Sequence, residues 1–218
     1  MLTRSEEDHI KAVYALLQED DSAFTKDIAE RLRTKASSVT DMLKKLAEKK
    51  LLKHEPYYGV KLTVKGEAMA LQLVRRHRLW ETFLVEHLGF GWDEVHEVAE
   101  QMEHVANEKL IDKLDEYLGH PHFDPHGDAI PDKHGKIRQR KTKRLDTCTP
   151  GETVRIAAVS ETTDGLLRLL GAKGLRIGTT LVVQEVHAFD GSMDVKPKSG
   201  SAFSLSKDVS HHLQVELP

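Results

Sequence analysis

Cysteine is almost missing from this chain of 218 residues. With Cys148 alone, the sequence excludes an intramolecular disulfide and any single-chain site built from several thiolates. A bound metal would therefore be held by histidine and carboxylate side chains. No apolar run approaches the roughly 20 residues of a membrane span, and the N-terminus has no apolar segment typical of a secretion signal. We therefore expect a cytoplasmic protein with no membrane partner.

The chain also lacks an excess of either charge, because 32 Lys and Arg face 35 Asp and Glu for a net charge of −3. Although the totals nearly balance, positive and negative residues are concentrated in different segments of the chain. Residues 22–76 carry a net charge of +7, whereas residues 77–132 carry −11 and hold seven of the 13 histidines. A basic segment suits a polyanion, and an acidic segment rich in histidine suits a cation. The sequence therefore predicts two different binding functions.

Residues 1–64 are typical of a winged helix-turn-helix domain. Apolar spacing predicts a helix over residues 5–18, a short helix with Thr25 as its N-cap, and a third helix beginning at Ser37. Two short strands follow and predict a hairpin, or wing. The lysines could merely solvate a protein-interaction domain, but the local charge of +7 favours DNA.

A recognition helix places short polar side chains against base edges while basic side chains hold the phosphates. On this basis the predicted DNA-contacting residues are Ser37, Ser38, Thr40, Asp41 and Lys44 in the third helix, with Tyr57, Tyr58 and Lys61 in the wing.

Three further segments follow the winged helix. Residues 65–119 predict helices with more large apolar residues than they can bury on themselves, which indicates a homodimer that reads two half-sites of a palindromic operator. Residues 120–150 contain several prolines and glycines and predict a linker. Residues 151–218 contain five short alternating segments, including one over residues 175–183, and predict a small β-barrel.

The acidic block contains histidines and carboxylates at helical spacing. Four share one predicted helical stripe, and two more lie one turn apart on the preceding helix: His96, Glu100, Glu103 and His104, then His77 and Glu81. Ligands one turn apart can converge on one ion without backbone strain. Nitrogen and oxygen donors favour Mn²⁺ or Fe²⁺ over thiolate-preferring metals, although the divalent affinity series would favour Zn²⁺. From spacing alone, a solvated helix face stays open as the alternative.

Two passages strongly resemble the diphtheria toxin repressor family of metal-dependent transcriptional repressors. They are Arg76-His77-Arg78-Leu79-Trp80-Glu81 and residues 95–104, and the linker sequence over residues 124–131 also looks like that of the family. The resemblance covers the entire chain. It implies a mainly α N-terminal winged helix-turn-helix with a helical dimerisation domain, followed by a small all-β SH3-like barrel at the C-terminus.

The resemblance also implies two metal sites. The primary site would consist of Asp8, Glu100, Glu103 and His104. The ancillary site would consist of His77, Glu81 and His96, completed from the barrel by Glu161, with Asp164 as a further candidate.

Carboxylates at positions 8 and 100 place the chain in the manganese-responsive branch of the family it resembles. Iron-responsive members typically have Met and Cys there, and replacing soft sulfur by hard oxygen selects towards Mn²⁺. Fe²⁺ is the alternative ion, and Zn²⁺ or Cd²⁺ can occupy such sites in vitro. The departure is Lys11, where short manganese sensors have a glutamate that bridges two close ions. Two separated sites are therefore expected.

Together these features predict a Mn²⁺-dependent repressor of metal-uptake genes that binds double-stranded operator DNA as a homodimer. It would not be an enzyme and would take no small organic substrate. One alternative is a winged-helix regulator that responds to a non-metal ligand. The other is a carboxylate-bridged metal enzyme, which is less well supported because no nucleophile with an adjacent base and no phosphate-binding loop is present in the sequence.

Overall fold

The computed structural model describes residues 2–218. Within that range the α-helices are α1 (Arg4–Asp20), α2 (Thr25–Arg31), α3 (Ala36–Glu48), α4 (Val64–Leu88), α5 (Val95–Met102), α6 (Glu108–Tyr117), α7 (Asp164–Ala172) and α8 (Lys207–His211). The strands are β1 (Leu52–Glu55), β2 (Gly59–Leu62), β3 (Lys143–Arg144), β4 (Thr153–Val159), β5 (Thr180–Val186), β6 (Met193–Pro197), β7 (Phe203–Leu205) and β8 (Leu213–Glu216). Over residues 2–218, no helix combines the length and apolar character needed to cross a membrane.

The chain divides into two compact units that alternate along the sequence. The first consists of Met1–His77, Glu100–Lys113 and Pro131–Lys136, and the second of Arg78–Ala99, Leu114–Ile130 and Ile137–Pro218. The predicted dimerisation segment of residues 65–119 is thus shared between the two.

The first unit contains the predicted winged helix, which the structure confirms. Helix α1 begins at a capping box, in which Thr3 Oγ1 accepts from the Glu6 N–H and the Glu6 carboxylate accepts from the Thr3 N–H. Helices α1 to α3 and the hairpin bury a common core that includes Ile10, Ile28 and Leu46. The predicted cap of α2 is wrong, because Thr25 is already helical and the N-cap is Phe24, whose side chain accepts no capping hydrogen bond.

The wing is held against the loop between α1 and α2. The Ala23 N–H donates to Tyr58 O at 3.1 Å, and the Val60 N–H donates to Ala23 O at 3.0 Å. Gly59 lies between them with φ +80°, and a Cβ atom there would stand only 2.2 Å from Ala23 O. Glycine at this position therefore allows the close approach that fixes the wing.

The helix that contains His96 and Glu100 ends earlier than the spacing predicts. Helix α5 stops at Met102, so Glu103 and His104 lie in the turn that follows and the expectation of one continuous helical stripe is wrong. The chain turns here because Asn107 starts the next helix: its Oδ1 accepts from the Leu110 N–H and its carbonyl accepts from the Ile111 N–H.

The second unit contains the predicted β-domain. Its sheet is antiparallel throughout, with the strand order β3-β8-β4-β5-β6-β7, and its core includes Ile156, Leu181 and Val215. The five strands predicted within residues 151–218 are confirmed as β4 to β8, and the two-residue strand β3 in the predicted linker adds a sixth by pairing with β8. Residues 175–179 are not strand, since pairing with β4 begins only where Thr180 meets Arg155.

Candidate metal centre and nucleic-acid interface

Helix α1 and the turn after α5 bring part of the predicted primary site together in the first unit. Three possible ligand atoms lie within 4.8 Å of one another, one each from Asp8, Glu103 and His104. His104 Nε2 is 3.1 Å from Asp8 Oδ1, and Glu103 is almost completely buried. Two carboxylates and an imidazole form a donor set that fits a divalent cation such as Mn²⁺ or Fe²⁺. These residues would hold the ion, and it would supply positive charge between the two elements.

The ammonium group of Lys11 lies against the same carboxylates. Its Nζ is 2.6 Å from Glu103 Oε2 and 3.8 Å from Glu100 Oε1. Glu100, half of whose side chain is exposed, is thus near the cluster without being one of the three close ligands. His77, predicted for the ancillary site, places Nδ1 2.6 Å from Glu103 Oε2 and 3.2 Å from Lys11 Nζ.

Glu7 is a residue of this cluster that sequence reasoning missed. Its Oε2 lies 2.7 Å from His104 Nδ1, and its Oε1 accepts from Arg76 at 3.2 Å. A carboxylate on one ring nitrogen of a metal-ligating histidine fixes the ring and its tautomer, which here leaves Nε2 directed at Asp8. Only the acidic run over residues 6–8 signalled it, because neighbouring residues of a helix do not share a face.

The pKa values of Asp8 and Glu103 are shifted in opposite directions by burial, hydrogen bonds and neighbouring charges. Burial raises the pKa of Asp8 above its ordinary value, and the charge of His104 opposes that shift. Burial would also raise the pKa of Glu103, but the hydrogen bond to His77 and the charge of Lys11 together hold that pKa below its ordinary value. Glu103 is therefore an ionised carboxylate in a buried position.

A second group of histidines and carboxylates lies within the second unit around Glu81. Glu81 Oε1 is 3.2 Å from His96 Nδ1, and Oε2 is 3.9 Å from His126 Nδ1. The buried Asp124 completes a close group with Glu81 and His126. Burial, reinforced by the charge of Glu81, raises the pKa of Asp124 well above its ordinary value. Sequence reasoning placed Asp124 and His126 in the linker and gave neither a role in a site.

The two barrel residues predicted for the ancillary site have partners inside the barrel. Glu161 Oε2 lies 3.2 Å from His212 Nε2, and Asp164 Oδ2 lies 3.7 Å from Arg168 on the next helical turn. Their assignment to a metal site stays a prediction.

The predicted DNA-contacting residues are surface residues of the first unit. Ser37, Ser38, Thr40, Asp41 and Lys44 are all exposed on α3. The Tyr57 side chain in the wing is 94% exposed, and Tyr58 is half exposed. Lys61 already has intramolecular partners, because its ammonium group binds Asp21 at 3.0 Å and lies 4.8 Å from the centre of the Tyr58 ring.

At the N-terminus of α3, the N-cap residue Lys35 forms no side-chain capping hydrogen bond, and the first turn contains no acidic residue. The free N–H groups and the helix dipole therefore leave a partly positive end next to the exposed serines, which suits a phosphate group.

The fold and these two surfaces define a winged-helix protein with a carboxylate–histidine metal cluster. Three family models match the chain in succession. They are the N-terminal DNA-binding domain of iron-dependent repressors (residues 1–60), the metal-binding and dimerisation domain of the same repressors (residues 63–132), and the FeoA domain (residues 143–217).

Known proteins resemble the chain over most of its length. The transcriptional regulator MntR of Bacillus velezensis is 33% identical over 152 residues, which is 70% of this chain and all of that protein. The iron-dependent repressor IdeR of Mycobacterium leprae is 34% identical over 60% of this chain, and the match spans only 56% of that relative. The chain therefore belongs to the DtxR/MntR family of metal-dependent, DNA-binding transcriptional regulators.

Solved structures agree with this assignment over nearly the full chain. A manganese-dependent transcriptional repressor in complex with manganese has a TM-score of 0.84 and 36% identity, and the match covers 96% of this chain and 98% of that one. ScaR with bound Cd²⁺ has a TM-score of 0.77 and 31% identity, with 98% and 99% covered. The matching family models and the MntR and IdeR relatives are those of transcriptional regulators, and the interpretation as a metal enzyme is not supported.

Proposed function

We propose that this protein is a Mn²⁺-dependent transcriptional repressor that binds operator DNA in the cytoplasm as a homodimer and controls metal-uptake genes. One observation carries the proposal. Helix α1 holds Asp8 in the metal cluster and, two residues earlier, Glu6, which binds Lys45 of the recognition helix α3 and Lys49, the C-cap residue of that helix. An ion bound at Asp8 therefore acts on the element that holds α3.

The ion would be bound at the primary site by Asp8, Glu103 and His104, with Glu100 moving in from the edge of the cluster. All four offer oxygen or nitrogen donors, and a set without sulfur favours Mn²⁺, with Fe²⁺ as the alternative. The relatives named for manganese support this choice, and those named for iron keep the alternative open.

The ancillary site would use His77, Glu81 and His96, with Glu161 and Asp164 from the barrel. Support comes from the positions of His77 and Glu81, one turn apart on α4, and from the approach of Glu81 to His96. Glu161 would have to leave His212 in order to bind an ion.

The proposed mechanism follows from charge. Without an ion, the acidic groups of the primary site repel one another, and the contacts of Lys11 with Glu103 and of His104 with Glu7 oppose that repulsion between α1 and the turn after α5. A divalent ion neutralises the carboxylates and joins the two elements directly, which shifts the population towards one position of α1 and hence of α3. That position would be the one that fits the operator.

The DNA contacts would come from α3 and the wing. Ser37, Ser38, Thr40 and Asp41 would reach base edges, while Lys44, Tyr57, Tyr58 and Lys61 would contact the backbone. The partly positive N-terminus of α3 would add a phosphate contact. For Lys61 this means exchanging Asp21 for a phosphate.

The homodimer is supported by apolar side chains that stay exposed in the single chain. In the helical segment these are Leu88, Val105, Leu110 and Tyr117, each at least 41% exposed. A two-fold dimer would present two α3 helices to the half-sites of a palindrome.

The test is an electrophoretic shift of an operator selected from random DNA with the Mn²⁺-loaded protein. We expect binding with Mn²⁺ and at least tenfold weaker binding in excess chelator. The Glu103→Gln variant should bind weakly under both conditions, whereas Glu97→Gln, which changes an exposed residue of α5, should behave like the parent protein. Equal affinity with Mn²⁺ and with chelator would refute the proposal and favour a winged-helix regulator that responds to a non-metal ligand.

A further inference from the structure

Lys11 lies where its charge can replace that of a metal ion. It follows Asp8 by three residues on α1, so the two side chains share a face of the helix. Its Nζ lies 2.6 Å from Glu103 Oε2, 3.2 Å from His77 Nδ1 and 3.8 Å from Glu100 Oε1. The Lys11 side chain is only 21% exposed, so this ammonium group is drawn into the cluster rather than left in solvent.

We infer that Lys11 is an internal cation of the primary site, which stabilises the metal-free cluster and competes with the incoming ion. This inference rests on the proposed primary site. A protonated lysine has three donors and no lone pair, so it can neutralise the carboxylates but cannot act as a ligand. Its ammonium group is paired with the Glu103 carboxylate, which the ion must also bind.

Competition follows from geometry and charge. An ion between Asp8, Glu103 and His104 would stand a few ångströms from the Lys11 ammonium group, and two positive charges at that distance repel each other strongly in a partly buried site. Lys11 must therefore leave Glu103 when the ion binds. Breaking this ion pair costs free energy and reduces the net affinity, which raises the ion concentration at which the site fills. The same positive charge disfavours a second ion beside the first.

The experiment combines two measurements on the full chain with Lys11 replaced by Met, which keeps the length of the side chain and removes its charge. Isothermal titration should give a Mn²⁺ dissociation constant for the primary site about tenfold lower than that of the parent. Thermal unfolding should give a lower Tm in excess chelator and a much smaller loss of Tm in saturating Mn²⁺, because the metal-bound chain no longer uses the Lys11 ion pair.

Lys143→Met is the matched control. Lys143 also forms an ion pair with a glutamate, Glu152, but both residues belong to the β-domain and neither is a member of the metal cluster. A lysine of purely structural importance should lower Tm equally with and without Mn²⁺ and leave the Mn²⁺ affinity unchanged. That is the result expected for Lys143→Met.

Lys11→Gln covers the case in which the methionine variant does not fold, because glutamine can still donate a hydrogen bond to Glu103. Tighter Mn²⁺ binding in either variant supports the inference. If the parent binds Mn²⁺ and the folded Lys11 variants bind it no more tightly, Lys11 does not compete and the inference is wrong. If the parent itself binds no Mn²⁺, the proposed primary site fails and the inference fails with it.

Discussion

Glu103 is the residue on which the primary cluster depends. Its side chain is 2% exposed, and an ionised carboxylate at such a position is costly unless positive groups face it. In the metal-free chain Lys11 supplies a positive charge and His77 a hydrogen bond, and these contacts keep the pKa of Glu103 low. An ion that replaces these contacts must bring at least as much positive charge, which is why a divalent cation suits the cluster.

Metal selectivity should depend on residue 100. Replacing Glu100 by Cys exchanges a hard oxygen donor for a soft sulfur donor at a half-exposed position, where the fold tolerates the change. We expect Mn²⁺ affinity to fall by about tenfold and the preference to move towards Fe²⁺ and Zn²⁺. Titration of each ion under anaerobic, reducing conditions measures both changes.

Glu97→Cys is the control for this substitution, because residue 97 is exposed on the same helix and contacts no member of the metal cluster among the residues described. It should leave the order of affinities unchanged. The same order of affinities in Glu100→Cys would show that residue 100 does not select the metal.

Among the elements, α1 joins the metal cluster to the recognition helix. Its first turn contains the buried Glu6, whose Oε1 is 2.6 Å from Lys49 and 3.0 Å from Lys45. The hydrogen bond from Lys49, with that of the Thr3 N–H, lowers the pKa of Glu6 from 4.5 to about 2. The ionised form is thus stabilised by folding. Its contribution is present above pH 4.5 and is lost as the pH falls towards 2.

Glu6→Gln tests this link, because glutamine keeps the capping box of α1 and removes only the charge. We expect a loss of about 1–2 kcal/mol of unfolding free energy at pH 7, less than the full pKa shift implies because both lysines are partly exposed. The difference from the parent should shrink as the pH falls below 4.5. Urea unfolding at pH 7 and pH 3 measures it.

The control for this prediction is Glu19→Gln, which removes an exposed ion pair of the same helix with Arg31. Such a pair contributes at most about 1 kcal/mol, and its loss should change stability little at either pH. A Glu6→Gln variant as stable as the parent at pH 7 would show that the charge of Glu6 does not hold α3.

At the scale of the molecule, DNA and metal are expected to bind to different parts of one coupled system. Any factor by which Mn²⁺ tightens operator binding must equal the factor by which the operator tightens Mn²⁺ binding. We therefore expect the Mn²⁺ dissociation constant to fall by the same ratio when saturating operator is added. Calorimetric titration of Mn²⁺ with and without operator checks this, and DNA of scrambled sequence is the control. Unequal ratios would mean that a further equilibrium, such as dimerisation, intervenes.

Much of the fold could be predicted because its signals are local. The apolar spacing of α1 and α3, the turn at Pro56-Tyr57-Tyr58-Gly59 and the alternation near β4 all reflect which side chains must be buried within a few residues. Two features that the sequence did not predict depend on distant partners. Strand β3 exists only because β8 lies beside it, and residues 175–179 are not strand because pairing with β4 starts later.

The sequence by itself determined the chemistry of this protein. One cysteine and many histidines and carboxylates leave only oxygen and nitrogen ligands, and the segregated charge separates a DNA-binding part from a metal-binding part. Only the tertiary structure decided which of these groups meet. The packed helices bring the Glu7 carboxylate to His104 Nδ1 and the Lys11 ammonium group to the Glu103 carboxylate. These residues are almost a hundred positions apart in the sequence and become neighbours only when the helices pack.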